Sequence, residues 1–251
     1  MRGILAILLI LAQLVWWDIA DKVRITASWN WARRVIDREI NGRAIRLFAI
    51  AGLVTGLRLR AEVSPEKIPD RFIVVSNHQS IIDIAAIMAA FREHSVRFVA
   101  KRELRRWFPA VSRVLRVQRH ALISRRGDFQ TAMREIERLG RSLRSGQGAV
   151  IFPEGTRSRD GEVHTFHSGA LRRLLRSRPL PIVVLALEGG SGLTRLSDLQ
   201  RMAAGHQFRV VLVDVLPPVI EKQQLLQQLD YAEQAIRGRI AQMRSKDVHA
   251  V

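Results

Sequence analysis

From Leu57 onward, short runs of β-branched and aliphatic residues alternate with longer segments of helical pattern. The apolar runs are Leu59–Val63, Phe72–Ser76, Val96–Ala100, Ala121–Ser124, Ala149–Phe152, Ile182–Leu187 and Phe208–Val215. Helical patterning falls between them at Ile81–Arg92, Gly127–Arg144, Gly169–Arg176 and Thr194–Ala204. A chain that alternates in this way is expected to form an α/β fold: a mixed, largely parallel sheet with helices on its faces. Asp128 stands where an N-cap would start the second of these helices, and the glycine-rich Ser145–Gly148 ends it. Pro217 and Pro218 close the last strand. Leu225, Leu229, Ala232, Ile236, Ile240 and Met243 then form one apolar stripe on a long amphipathic helix. The expected organisation is a helical membrane-binding region at 1–56, an α/β domain at 57–220 and a C-terminal amphipathic helix at 221–251.

The N-terminus carries the membrane expectation. Gly3 to Trp17 is apolar apart from Gln13. As a helix this run rises about 22 Å, short of a hydrocarbon core of about 30 Å. It reads as an uncleaved anchoring helix, with Trp16 and Trp17 at headgroup level. A secretory signal is the alternative, but no small-x-small cleavage site follows. Lys22, Arg24, Arg33 and Arg34 come next and assign that end to the cytoplasm. A second apolar run, Leu47–Leu57, is bracketed by Arg43, Arg46, Arg58 and Arg60. Two readings of it stay open: a buried core helix, or the second arm of a hairpin dipping into one leaflet. The formal net charge of +18 favours anionic partners. The absence of cysteine excludes disulfides, thiolate metal sites and a cysteine nucleophile.

Three stretches can carry chemistry. In Val74-Val75-Ser76-Asn77-His78-Gln79-Ser80-Ile81-Ile82-Asp83, an apolar run delivers a histidine into a turn. Five residues apart on one helix, His78 and Asp83 would lie about 140° apart and could not meet. They meet if His78 sits in the turn and only Asp83 is helical. Ser80-x-x-Asp83 has the form of a capping box that would start a helix at Ile81, so capping alone also accounts for the aspartate. The catalytic alternative is a histidine general base oriented by a carboxylate. The second stretch is Val150-Ile151-Phe152-Pro153-Glu154-Gly155-Thr156-Arg157-Ser158. There a strand enters a turn that offers backbone N–H groups, a hydroxyl and a guanidinium, the parts of a phosphate site. An ordinary turn with a solvated arginine is the plain alternative. The third is Lys101–Arg126, where nine basic residues face one acid, Glu103, with Trp107, Phe108, Val111 and Val114 interleaved. That mixture suits an anionic lipid surface; a solvated basic face would look the same. His164 and His167 lack the companions of a metal site, and neither a P-loop nor a dinucleotide fingerprint is present.

Asn77-His78-Gln79-Ser80-Ile81-Ile82-Asp83 and Phe152-Pro153-Glu154-Gly155-Thr156-Arg157-Ser158 together resemble the first and third blocks of the glycerolipid acyltransferases typified by 1-acylglycerol-3-phosphate acyltransferase. The resemblance covers roughly 57–218, making 57–220 the acyltransferase domain. It implies a membrane-bound enzyme at the cytoplasmic face of an inner membrane, moving a fatty acyl chain from acyl-CoA or acyl-ACP to a lysolipid hydroxyl. No cofactor is implied beyond the acyl thioester co-substrate. His78 would be the base, Asp83 its orienting group, and Glu154, Gly155, Thr156 and Arg157 would bind the glycerol phosphate. The second block places a further substrate-binding arginine at Arg125. The chain departs from the family pattern at Arg119, where glycine is usual, and at Ser124, where aspartate is usual. It also has Phe166-His167-Ser168-Gly169 in place of Phe-Lys-x-Gly, and Val184 where a proline is usual. These departures leave another lysolipid or a lyso-aminolipid open as the acceptor. A non-enzymatic basic protein that binds membranes or nucleic acid is the remaining alternative.

Overall fold

A computed structural model describes residues 2–103, 110–124, 128–193, 195–201 and 205–248. Two long helices come first, α1 (Arg2–Ala27) and α2 (Trp29–Thr55). The remaining elements are β1 (Arg58–Glu62), β2 (Arg71–Ser76), α3 (Asp83–Ala90), β3 (Ser95–Lys101), α4 (Val111–Val117), β4 (Ala121–Ile123), α5 (Phe129–Ser142), β5 (Gln147–Ile151), α6 (Gly169–Ser177), β6 (Ile182–Glu188), β7 (Gln207–Leu216) and α7 (Lys222–Val248).

The seven strands form one sheet in the order β1-β7-β6-β2-β5-β3-β4. All neighbouring pairs are parallel except β6 with β7. The fold is therefore the expected α/β class with a mixed, largely parallel sheet. All seven expected strands are present to within two residues at either end.

The central strand β2 shows why the sequence reads as continuous apolar runs rather than as alternation. Phe72 and Val74 belong to a core on one face, shared with α2, α3 and Ile10 of α1. Ile73 and Val75 belong to a second core on the other face, shared with α5, α6 and α7. All four are 0% exposed. A strand buried on both faces needs an apolar side chain at every position. Burial of each contributes about 1.5–3 kcal/mol. Asp128 caps α5 as expected, its carboxylate accepting from the N–H groups of Gln130 and Thr131 at 3.0 Å.

The N-terminal region departs from expectation. Helical pattern is expected over Asp18–Asn41 after the apolar run, but the first helix runs without a break through Trp17 to Ala27, rising about 39 Å, which is long enough to cross a hydrocarbon core of about 30 Å. The break comes at Ser28, whose side chain caps α2. α1 and α2 form a hairpin held by buried charge: Arg43 donates to both oxygens of Asp21, at 2.5 and 2.7 Å, and also to Glu39. Removing one partner of such a pair leaves the other charged and buried, at a cost of about 3–5 kcal/mol. Leu47–Leu57 belongs mostly to α2, where Phe48 and Ala51 face the core while Leu53 is 88% exposed. It is thus a core helix that also packs against α1 as one arm of the hairpin. The basic block contains a short helix, α4, that the charge pattern hid, and Arg113 ties it to Asp18 of α1 at 2.7 Å. Arg105, Arg106 and Arg126 of that block, with Trp107 and Phe108, lie outside the described residues. Of 194–204, the described part contains a short 3-10 helix, Leu196–Arg201.

Candidate active site

The three strands β6, β2 and β5 are adjacent and parallel, and their carboxyl ends converge. In open α/β sheets that edge is where ligands bind. His78 follows β2, Glu154 follows β5, and Glu188 ends β6. Thus the two stretches singled out in the sequence, 76 residues apart, meet at one edge because their strands pair.

His78 Nδ1 lies 2.6 Å from Asp83 Oδ2. A carboxylate accepts only, so Nδ1 carries the proton and Nε2 keeps its lone pair. The pair meets in the way the helix geometry demands: His78 is in the turn, and Asp83 is the first residue of α3. The capping box is only half realised. Asp83 Oδ2 accepts from the N–H of Ser80 at 2.9 Å and of Gln79 at 2.7 Å, which is the reach-back half. Ser80 Oγ accepts from the N–H of Ile82 at 3.2 Å, two residues on, rather than from that of Asp83, while its hydroxyl donates to the Leu193 carbonyl at 2.7 Å, and α3 begins at Asp83 rather than Ile81. The first turn of the expected helix is used to bend the chain around the carboxylate. Asp83 is 0% exposed, and its other oxygen, Oδ1, meets no donor among the described residues.

The histidine is held from three further sides. Its ring stacks on Phe152, with centroids 4.0 Å apart and planes at 12°. Its backbone N–H donates to Glu154 Oε1 at 2.9 Å, and its carbonyl accepts from the N–H of Ser158 at 2.8 Å. The turn from Glu154 to Ser158 therefore clasps the His78 backbone from both sides. Glu154 also accepts from the N–H of His164 at 3.3 Å and is 5% exposed. Burial pushes its carboxyl up to about 7, against these two N–H groups, which favour the charged form. Gly155 has φ +69°, a left-handed turn that other residues adopt only with strain. Gly155 and Thr156 are exposed at this turn, and Arg157 is half-buried. Arg125 lies outside the described residues.

Several supporting residues have roles that only the fold reveals. Asn77 exchanges two hydrogen bonds with the backbone of Leu187, at 2.9 and 2.8 Å, locking the turn to β6. Gln79 donates to the Gly161 carbonyl and Glu188, and accepts from the N–H of Gly190, each at 3.1 Å. A Cβ on Gly190 would stand 2.9 Å from the Ser80 Cβ, so glycine is what allows this approach. Arg244, near the end of α7, donates to Gly161 and Glu162 at 2.7 Å and to Glu188 at 3.2 Å. It reaches the site from the opposite end of the chain, which no local pattern could reveal.

The chain is similar to known acyltransferases in sequence and in fold. The family model described as Acyltransferase matches residues 60–188, just over half of the chain. A 1-acyl-sn-glycerol-3-phosphate acyltransferase of Cocos nucifera is 33% identical over 120 residues, 47% of this chain and 38% of that protein. A probable enzyme of the same name from Mycoplasma pneumoniae is 28% identical over 187 residues, 70% of this chain and 68% of that one. The chain thus spans less than half of the first relative and about two thirds of the second. The crystal structure of the 1-acyl-sn-glycerophosphate acyltransferase PlsC from Thermotoga maritima superposes with a TM-score of 0.73 at 25% identity, covering 97% of this chain and 98% of that one. With the matched segment running from β1 to the end of β6 and enclosing both halves of the His78 site, the chain belongs to the acyltransferase family.

Proposed function

We propose that this protein transfers a fatty acyl chain from an acyl thioester to the free hydroxyl of 1-acylglycerol-3-phosphate, giving phosphatidic acid. The observation that carries the reading is the His78–Asp83 contact at 2.6 Å, fixed beside the Glu154–Ser158 turn. His78 Nε2 takes the proton of the acceptor hydroxyl as its oxygen attacks the thioester carbonyl carbon. A C–O bond forms, the C–S bond breaks, and the departing thiolate takes the proton from the imidazolium. Asp83 stabilises that imidazolium and holds the tautomer. No covalent enzyme intermediate is needed. Glu154 steadies the histidine through its backbone, while Gly155, Thr156, Arg157 and Arg125 form the proposed acceptor-phosphate site; the exposed left-handed turn at Gly155 supports that assignment.

The acyl donor is acyl-CoA or acyl carrier protein; a net charge of +18 suits either acidic carrier. Membrane lipid is the other proposed partner. α1 is apolar and leaves Ile4, Leu8, Val15, Trp16, Ile19 and Val23 at 45–65% exposure, a face that water disfavours. The proposed location is the cytoplasmic face of the inner membrane, following the basic residues after Trp17.

The test is acyl transfer by purified protein, with acyl-CoA and acyl-ACP each offered to a panel of lysolipids. Lysophosphatidic acid is the expected acceptor, and His78→Ala should abolish turnover while leaving secondary structure and membrane association intact. Full activity in that variant would overturn the mechanism, and turnover only with another lysolipid would overturn the acceptor.

A further inference from the structure

A second concentration of positive charge lies at the amino ends of β3, β4 and β5, the edge of the sheet opposite His78. There a cleft of about 280 Å³ is lined by Arg33, Arg97, Arg119, Arg141 and Arg144, with Gln118 between them. No acidic side chain is among the described residues that line it. Two carboxylates stand nearby, and each is shared. Asp37 accepts from Arg97 at 2.8 Å and lies 4.0 Å from Arg33; Glu137 pairs with Arg141 and, at 2.9 Å, with Arg173.

Two features show that this is more than a solvated basic face. Arg97 is 3% exposed and donates to Ser95 Oγ, the Val96 carbonyl and Asp37, but Asp37, its one anionic partner among the described residues, also accepts from Gln118 and lies 4.0 Å from Arg33, so its charge is shared. Burial, Arg33 and Arg144 all act to lower the Arg97 pKa, while Asp37 acts the other way. Arg119 has φ +58°, a left-handed conformation disfavoured for a residue with a Cβ. The resemblance expects glycine there, yet the chain places a long cationic side chain on strained backbone at the rim of the cleft.

We propose that this cleft is an oxyanion site for a phosphate group, separate from the acceptor-phosphate site at the Glu154 turn. Planar guanidinium forks from α2, β3, α5, the segment after α5 and the turn before β4 match the oxygens of an anionic phosphate ester or a pyrophosphate. The phosphate could belong to a lipid headgroup or to a soluble phosphorylated molecule. Trp29 and Trp31, each 44% exposed, stand within about one turn of Arg33 at the start of α2, a setting that suits a headgroup.

The experiment uses the full chain in detergent. Pyrophosphate binding is measured by titration calorimetry, and flotation is measured with phosphatidylcholine vesicles with and without phosphatidylglycerol. The variants are Arg119→Gly and the pair Arg33→Gln with Arg144→Gln. Each should weaken pyrophosphate binding at least fivefold. Arg119→Gly should also keep or raise the melting temperature without ligand, because it relieves the left-handed strain; a weakened site therefore cannot be mistaken for a damaged fold. If the source is a headgroup, the variants also lose flotation specific to phosphatidylglycerol. If it is a soluble molecule, flotation is unchanged and only pyrophosphate binding falls. Binding of both probes within twofold of wild type in both variants would overturn the proposal. None of these readouts depends on acyl transfer, so the result is independent of the proposed reaction.

Discussion

Asp83→Asn isolates the negative charge of the catalytic pair from its shape. Oδ2 accepts three hydrogen bonds, from His78 Nδ1, Gln79 N and Ser80 N, and Oδ1 meets no partner among the described residues. An asparagine can keep its oxygen at the Oδ2 position and turn its NH2 toward the Oδ1 position. The three donors stay satisfied and the histidine keeps its tautomer. What is lost is the attraction between the carboxylate and the imidazolium that forms as the acceptor is deprotonated. With charge centres about 4 Å apart and an effective dielectric of about 20, that attraction is about 4 kcal/mol. At about 1.4 kcal/mol per decade this is a fall of about 10³ in kcat. The unpartnered NH2 group costs about 1–3 kcal/mol of stability, lowering Tm by several degrees in a chain of this size. Single-turnover acyl transfer, with Tm from circular dichroism, measures both effects. Retention of more than a tenth of wild-type kcat in the asparagine variant would refute the role of the charge.

Arg244→Ala removes the donors that tie α7 to Gly161, Glu162 and Glu188. It should lower kcat/KM about tenfold and increase amide exchange in 158–164, with Arg244→Lys recovering part of the loss, because each charge-assisted hydrogen bond contributes about 1.5–3 kcal/mol. Glu154 predicts a pH dependence of stability. Its folded pKa, about 7, exceeds the ordinary 4.5, so the folded state binds more protons between these values. Stability from this group is complete below pH 4.5 and is lost as pH rises through 7. The loss is at most about 3 kcal/mol, and less where water reaches the carboxyl. Glu154→Gln should flatten this part of the Tm–pH curve, and an unchanged slope would show that another group titrates.

The sequence by itself determined the class of fold and the chemical parts of the site. Central strands such as β2 and β6, buried on both faces, must be apolar at nearly every position and are legible as runs, while the exposed edge strand β1 shows itself as alternation of apolar and charged residues. The 3.6-residue period excluded a His78–Asp83 pair on one helix and left only the arrangement across a helix start. Tertiary structure decided what brings the parts together. Pairing of β2 with β5 sets Glu154 against the His78 backbone, and Arg244 and Gln79 close the loops around it; these bonds join residues 76 to 83 positions apart, where no sequence period operates. The boundary between α1 and α2 falls at Ser28 rather than after Trp17 for a related reason. Polar Asp18, Asp21 and Arg24 look like the end of an apolar helix, but the helix continues because α2 supplies Arg43 and Glu39, and α4 supplies Arg113, to pair with them. The Arg119 cleft was equally hidden. Its arginines are spread over 112 positions of sequence, and only the fold gathers their charges against mutual repulsion at one edge of the sheet.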